Sequence, residues 1–186
     1  MTEAAAEYKR ALELDPLSLV INRNLGWLSY LAKQNDQAIA QLQKTLEMDP
    51  NFVLTHVYLG QAYLQKSMYV EGIAECEKEL VTSPNNTWVL AELGYAYGVA
   101  GRRMEAQKVL GQLNELSKEK YVSPFAAAQI YAGLGEKDKT FEWLEKAYED
   151  RSIGSSFVNV KVDPIFDPLR SDPRFADLLR RMNLQS

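Results

Sequence analysis

The sequence predicts an all-α protein assembled as an array of antiparallel helical hairpins, and three observations carry that expectation. Small-residue pairs recur at Leu25-Gly26, Leu59-Gly60, Leu93-Gly94 and Ala127-Ala128, and the differences 60 − 26, 94 − 60 and 128 − 94 are all 34. Three further columns keep the same step: Ala4, Ala38, Gly72, Ala106 and Thr140; Tyr8, Leu42, Cys76, Leu110 and Leu144; and Pro16, Pro50 and Pro84. The prolines and the turn residues between them then cut the chain into pieces of helix length, because proline cannot continue a helical hydrogen-bond ladder. A fixed period of this size marks a repeat architecture.

The small columns have a physical reason. A glycine inside a helix costs about 1 kcal/mol relative to alanine, so Gly26, Gly60 and Gly94 need a return that close helix approach supplies. They are expected where a second helix crosses, with Ala38, Gly72 and Ala106 as its matching small residues. Such a pair approaches to about 8–10 Å.

Taken in order, residues 2–14 read as a helix with apolar Ala4, Ala5, Tyr8, Ala11 and Leu12, closed by Asp15-Pro16. In the repeat register it is the second helix of a hairpin whose first is missing, as in a piece excised from something longer or a natural half-repeat serving as a cap. The first complete hairpin is expected at 18–32 and 36–48, with Asn35-Asp36 as turn and N-cap. The second is expected at 52–66 and 70–82 with Ser67 in the turn, and the third at 87–100 and 104–117 with Gly101 in a left-handed turn position. Ser123-Pro124 opens a fourth, at 124–134 and 138–150, with Gly135 and Asp138 in its turn. Phe141, Leu144, Ala147 and Tyr148 give its second helix one apolar face, which needs a cover.

That cover is expected from residues 153–186, where the period gives way to Asp163-Pro164, Asp167-Pro168 and Asp172-Pro173, each with the chemistry of a helix start. The last leads into Phe175, Leu178, Leu179 and Met182, spaced i, i+3, i+4 and i+7, with Arg180 and Arg181 set against the negative end of the helix dipole. This is the expected capping helix, which a repeat array needs because each repeat buries its face only against a neighbour. The segment Phe157 to Val162 is ambiguous, since Val158, Val160 and Val162 alternate like a strand, while the preceding periodicity favours helix, which is the expectation.

Across roughly residues 1–152 these columns resemble the tetratricopeptide repeat (TPR) family. The resemblance implies a right-handed superhelical solenoid, here one domain over 1–186: a half-repeat at 1–17, repeats at 19–52, 53–86, 87–120 and 121–152, and a cap at 153–186. The tail, with Glu142 to Tyr148, Lys161 to Pro164 and Pro168 to Phe175, resembles the C-terminal end of TPR modules in larger bacterial signalling and regulatory proteins. In the family the first helices line a concave groove that binds partners. Carried over, the lining would be Arg23, Trp27, Tyr30, Tyr58, Gln61, Trp88, Glu92, Tyr95 and Phe125, with Val20, Asn24, Leu54 and Val57 beside them. Trp, Tyr and Arg are the residues that most often become binding hot spots. Some family members clamp acidic chaperone tails with several cations, whereas here the corresponding places hold Arg23, Trp27, Tyr58, Trp88 and Glu92. The implied ligand is therefore an apolar peptide or one face of an amphipathic helix. The alternative is structural self-assembly, a homodimer formed through the N-terminal half-repeat.

Composition narrows the function classes. A net charge of −4 gives no basic footprint for nucleic acid, and no apolar run reaches the length of a membrane span. Residues 1–6 lack a signal peptide's basic and apolar regions, and a cytoplasmic location is the expectation. Cys76 and His56 are each the sole residue of their type, which leaves no cysteine-based zinc site and no two-histidine metal site. His56 and Cys76 are read as packing residues, and the glycines are spread at the repeat period, not clustered as in a phosphate loop. No enzyme and no cofactor are expected, and the partner is a protein or peptide.

Overall fold

The computed structural model describes residues 2–151 and 157–184, and among these no strand occurs. The helices are α1 Thr2–Leu14, α2 Leu19–Leu31, α3 Asn35–Met48, α4 Thr55–Gln65, α5 Tyr69–Thr82, α6 Thr87–Val99, α7 Arg103–Leu116, α8 Pro124–Gly133, α9 Lys137–Glu149, α10 Phe157–Val162 and α11 Pro173–Arg181, with a 3₁₀ turn at Pro164–Leu169. The chain divides into two compact units, Met1–Pro84 and Asn85–Ser186. The expected hairpins are the pairs α2/α3, α4/α5, α6/α7 and α8/α9.

In the first unit α1 packs on α2, α2 on α3 and α4 on α5. The glycine columns sit at close approaches: a Cβ on Gly60 would lie 2.9 Å from the Gly72 carbonyl oxygen, and one on Gly26 would lie 2.5 Å from Leu42 Cγ. The pairing of Gly60 with Gly72 is the expected crossing. Gly94 departs from expectation, because its nearest neighbour is Ile130 of α8 at 2.6 Å, with Val109 of α7 at 3.2 Å. The first helices α6 and α8 are thus pressed together, and Gly98 meets the Gly133 backbone in the same seam, at 2.6 Å from a built Cβ.

The hairpin turns place one left-handed residue in a single column, at Lys33 (φ 60°), Ser67 (φ 59°), Gly101 (φ 75°) and Gly135 (φ 71°). The first turn was expected at Asn35-Asp36; Lys33 takes the left-handed position instead and Asn35 already begins α3. Helix α4 begins at Thr55 and not near 52, since Leu54 is itself left-handed (φ 63°) and donates its N–H to Glu79 Oε1 at 2.9 Å.

One tether repeats with the period. Asn22 Nδ2 donates to the Pro16 carbonyl (3.1 Å) while its Oδ1 accepts from Gln41 Nε2 (2.5 Å). Thirty-four residues on, His56 Nε2 faces the Pro50 carbonyl (2.9 Å) and Nδ1 faces Glu75 Oε2 (2.5 Å). Asn22, Pro16 and Gln41 become His56, Pro50 and Glu75, so the histidine is a packing residue that ties the start of α4 to α5.

In the second unit the ambiguous segment is helical, as α10, with Val160 fully buried. A helix satisfies its own backbone groups, where a strand would need a partner to pair with. Asp163 and Asp172 act as N-caps, accepting from Ile165 N (3.1 Å) and Arg174 N (3.0 Å). Asp167-Pro168 starts no helix, because Pro168 lies inside the 3₁₀ turn, and the Asp167 carboxylate pairs with Arg170 at 2.6 Å. Phe166 links α8 to α11 through Phe125 (5.7 Å) and Phe175 (6.4 Å). Arg174 stands 4.2 Å over the Phe141 ring and reaches Asp138 at 2.8 Å, which seats α11 on α9. Residues 152–156, within the expected cap, lie outside the described residues.

Candidate functional site

The packing faces of each first helix decide which expected groove residues remain available. In α2 the buried stripe is Asn22, Leu25, Gly26, Tyr30 and Leu31. Tyr30 follows Asn22 and Gly26 at intervals of four, so it belongs to that stripe and is fully buried. Arg23 and Trp27 lie beside it and stay half-buried.

In the first unit the expected residues that come together are Arg23, Asn24, Trp27 and Tyr58. The rings of Trp27 and Tyr58 are 5.9 Å apart at an angle of 37°, and both keep exposed surface. The Arg23 guanidinium is held on three sides: Nη2 donates to Asn24 Oδ1 (3.0 Å), Nη1 donates to the Val53 carbonyl (3.3 Å), and the group stands 5.4 Å from the centre of the Phe52 ring. Asn24 Nδ2 donates in turn to the Tyr8 hydroxyl at 2.9 Å. Phe52 and Tyr8 were not among the expected lining residues. A signal existed for Phe52, an aromatic residue two positions after the Pro50 column, where the chain enters the next first helix.

The remaining expected positions are buried or stand apart from this cluster. Val57 and Gln61 are buried in α4, and Val20 is half-exposed. In the second unit Glu92, Tyr95 and Phe125 are buried, and the reason is the α6–α8 seam and the C-terminal cap. Glu92 Oε1 accepts from Gln129 Nε2 of α8 at 2.8 Å, Tyr95 lies against Gly133, and Phe125 is covered by Phe166. A side chain that spends its surface on a neighbouring helix has none for a ligand, so Tyr30, Val57, Gln61, Glu92, Tyr95 and Phe125 do not line an open groove in this structure. Trp88 remains half-buried in the first turn of α6, where its backbone N–H is capped by Asn86 Oδ1 at 3.0 Å.

The electrostatics of the first unit centre on His56. Its hydrogen bond to Glu75 raises the imidazole above its ordinary value, against the opposing effect of burial. Burial pushes the Glu75 carboxyl up, but the hydrogen bonds from His56 and from Lys78 (2.6 Å) outweigh it and hold the group below its ordinary value. Among the described residues no group of three His, Cys, Asp or Glu side chains is arranged to hold a metal ion. No described helix is long and apolar enough to cross a membrane.

This fold is shared with solved tetratricopeptide proteins. A TPR protein from Parabacteroides merdae ATCC 43184 superposes with a TM-score of 0.56 at 13% identity, over 100% of this chain and 73% of its own. YrrB, described as a TPR protein with an unusual peptide-binding site, superposes with a TM-score of 0.56 at 20% identity, over 97% of this chain and 93% of its own. No protein-family model matches the sequence, and no curated protein does. At these identities the likeness is one of fold: an all-α, TPR-like chain of helical hairpins.

Proposed function

We propose that the chain is a non-catalytic protein-interaction module that takes an apolar peptide, or the apolar face of an amphipathic helix, on the Trp27–Tyr58 face of its first unit. The observation that carries this reading is the pair of half-exposed rings 5.9 Å apart beside an arginine already fixed by its neighbours. Two exposed rings on adjacent first helices offer apolar area with little rotamer entropy to lose. Arg23, engaged by Asn24, Val53 and Phe52, orients a ligand by one polar contact at the edge and does not serve as one arm of a carboxylate clamp. Peptide binding in YrrB and the resemblance of the tail to modules of larger bacterial regulatory proteins agree with a partner-sensing role.

The test is a peptide-array or lysate pull-down with the wild type and a folded Trp27→Ala variant. The expected loss is about 2 kcal/mol, the size of a hot-spot truncation. Undiminished binding by Trp27→Ala, or selective capture of acidic chaperone tails by the wild type, would overturn this reading. Trp88→Ala, tested separately, shows whether the second unit contributes an anchor of its own.

A second reading, self-assembly, is favoured by one observation: Leu14 and Leu17, at the junction of α1 and α2, are 89% and 75% exposed. Under it the mass in solution rises with concentration, and Leu14→Lys with Leu17→Lys abolishes the rise. Tyr8, which accepts from Asn24, would stay as it is.

A further inference from the structure

The second unit carries a cavity that the Trp27 face does not use. It measures about 390 Å³ and lies among α7, α8 and α9, with exposed Gly111 at its mouth and Leu110, Leu113, Tyr131 and Trp143 around it. We propose that this cavity is a second binding site, and that its occupant is one aromatic side chain presented by an uncharged peptide segment of a partner protein.

Three independent features point there. The first is Gly111. Every other helical glycine described is forced by packing, since a Cβ built on Gly26, Gly60, Gly72, Gly94, Gly98 or Gly133 would approach a neighbouring atom to between 2.5 and 2.9 Å. A Cβ on Gly111 would meet nothing within 4 Å. Gly111 thus carries the helix cost of glycine, about 1 kcal/mol relative to alanine, without a packing return inside this chain, and what it leaves open is the mouth of the cavity.

The second feature is the repeat register. Gln43 and Tyr63 stand 68 residues, two periods, before Gly111 and Tyr131. In the first unit Gln43 Nε2 donates to the Tyr63 hydroxyl at 2.9 Å. In the second unit the corresponding side chain is absent, and the Tyr131 hydroxyl makes no hydrogen bond to any described residue. The cavity is therefore what remains when one column of the repeat loses its side chain.

The third feature is charge. No Asp, Glu, Lys or Arg lines the cavity. The two lysines over its rings, Lys139 at 5.1 Å from the Tyr131 centroid and Lys146 at 4.2 Å from that of Trp143, are engaged outside the lining by Glu136 (2.7 Å), which Arg103 also pairs, and by Glu142 (2.6 Å). A charged ligand would lose its hydration in such a place without a counter-charge, so the occupant is neutral. The stacked Tyr131–Trp143 pair, 6.5 Å between centroids at 24°, favours a ring over an aliphatic group. The mouth opens along α7 and its C-terminal end, where Gly111, Asn114 and Ser117 are exposed.

The test is a titration of the isotope-labelled full chain with N-acetyl-phenylalaninamide, read at the Gly111 amide and the Trp143 indole N–H by NMR, with N-acetyl-alaninamide and N-acetyl-aspartate as comparison probes. The expected result is a saturable shift of both signals by the phenylalanine probe, at least about tenfold weaker with alanine, the step that about 1.4 kcal/mol sets, and none with aspartate. Gly111→Leu places a side chain across the mouth and should abolish the response without lowering Tm, because the added side chain starts in open space. Trp27→Ala should leave the response intact, which separates this site from the one proposed above. No saturable shift, an equal response to aspartate, a full response in Gly111→Leu, or its loss in Trp27→Ala would each overturn the proposal.

Discussion

His56 shows how one residue sets the conditions under which a repeat joint holds. Both of its ring nitrogens face acceptors, a carboxylate at 2.5 Å and a backbone carbonyl at 2.9 Å. A neutral imidazole has one N–H and can donate to only one of them, so this arrangement favours the imidazolium. The charged groups that act on it are Glu75 and Lys78 of α5, and the chain has no other histidine. The raised His56 value means that the folded chain holds this proton more tightly than the unfolded one. The stability it contributes is therefore complete below the unfolded value of 6.5 and is lost as pH rises through the higher folded value. The expected outcome is a Tm that falls as pH is raised from about 6 through the histidine range. The double variant His56→Asn with Glu75→Gln rebuilds the neutral Asn22–Gln41 tether of the preceding repeat and should remove that slope. Parallel thermal melts of the two proteins check it; an equal slope in both would place the titration elsewhere.

At the scale of elements, the C-terminal cap is bound through Phe166, which is fully buried between Phe125 of α8 and Phe175 of α11. Phe166→Ala should cost about 3–5 kcal/mol, the range for truncating a buried aromatic residue, and release α11 from α9. Chemical denaturation measures the cost, and a loss below about 1 kcal/mol would mean that α11 is held by its ion pairs with α9 instead, of which exposed examples contribute about 0–1 kcal/mol each. The hairpins themselves were legible in the sequence, because Gly60, Gly72, Pro50 and Pro84 keep a period that no local propensity produces. What the sequence could not assign was the use of each face. Tyr30 and Tyr95 read like groove aromatics, yet a helix buries two strips when it has neighbours on both sides, and which ring falls in which strip depends on side-chain packing that the period leaves free. The first turn misled for a related reason: Asn35-Asp36 has turn chemistry, but the left-handed column runs through Lys33, a residue with no preference for it. The cavity at Gly111 was hidden because nothing in the sequence distinguishes an exposed helical glycine from the packed ones.

For the molecule as a whole, a repeat chain is held together by neighbour contacts, so its stability should vary along its length and not be shared evenly. The gradient can be read from burial. In α1 no described side chain is fully buried: Ala4 and Ala6 are exposed, and Tyr8, Ala11 and Leu12 are half-buried against α2 alone. Helices α6 and α8 are the opposite case, with Val89 to Ala96 and Phe125 to Ile130 buried as unbroken runs. A helix apolar around its whole circumference is enclosed by neighbours, and its amides open only when those neighbours leave. Native-state hydrogen exchange should therefore find the amides of α1 exchanging by local fraying, with opening free energies near zero and no dependence on the stability of the rest. The amides of Leu90 to Ala96 and Ala127 to Ile130 should exchange last, together, and at a rate that follows the unfolding of the second unit. Adding Phe166→Ala to the same experiment sharpens the test, because it weakens the second unit where α8 meets the cap: protection in α6 and α8 should fall together while α1 stays unchanged. Protection in α1 equal to that in α8, or a mutation-induced loss spread evenly over all helices, would show that the chain opens as one cooperative body and that its burial gradient carries no energetic meaning.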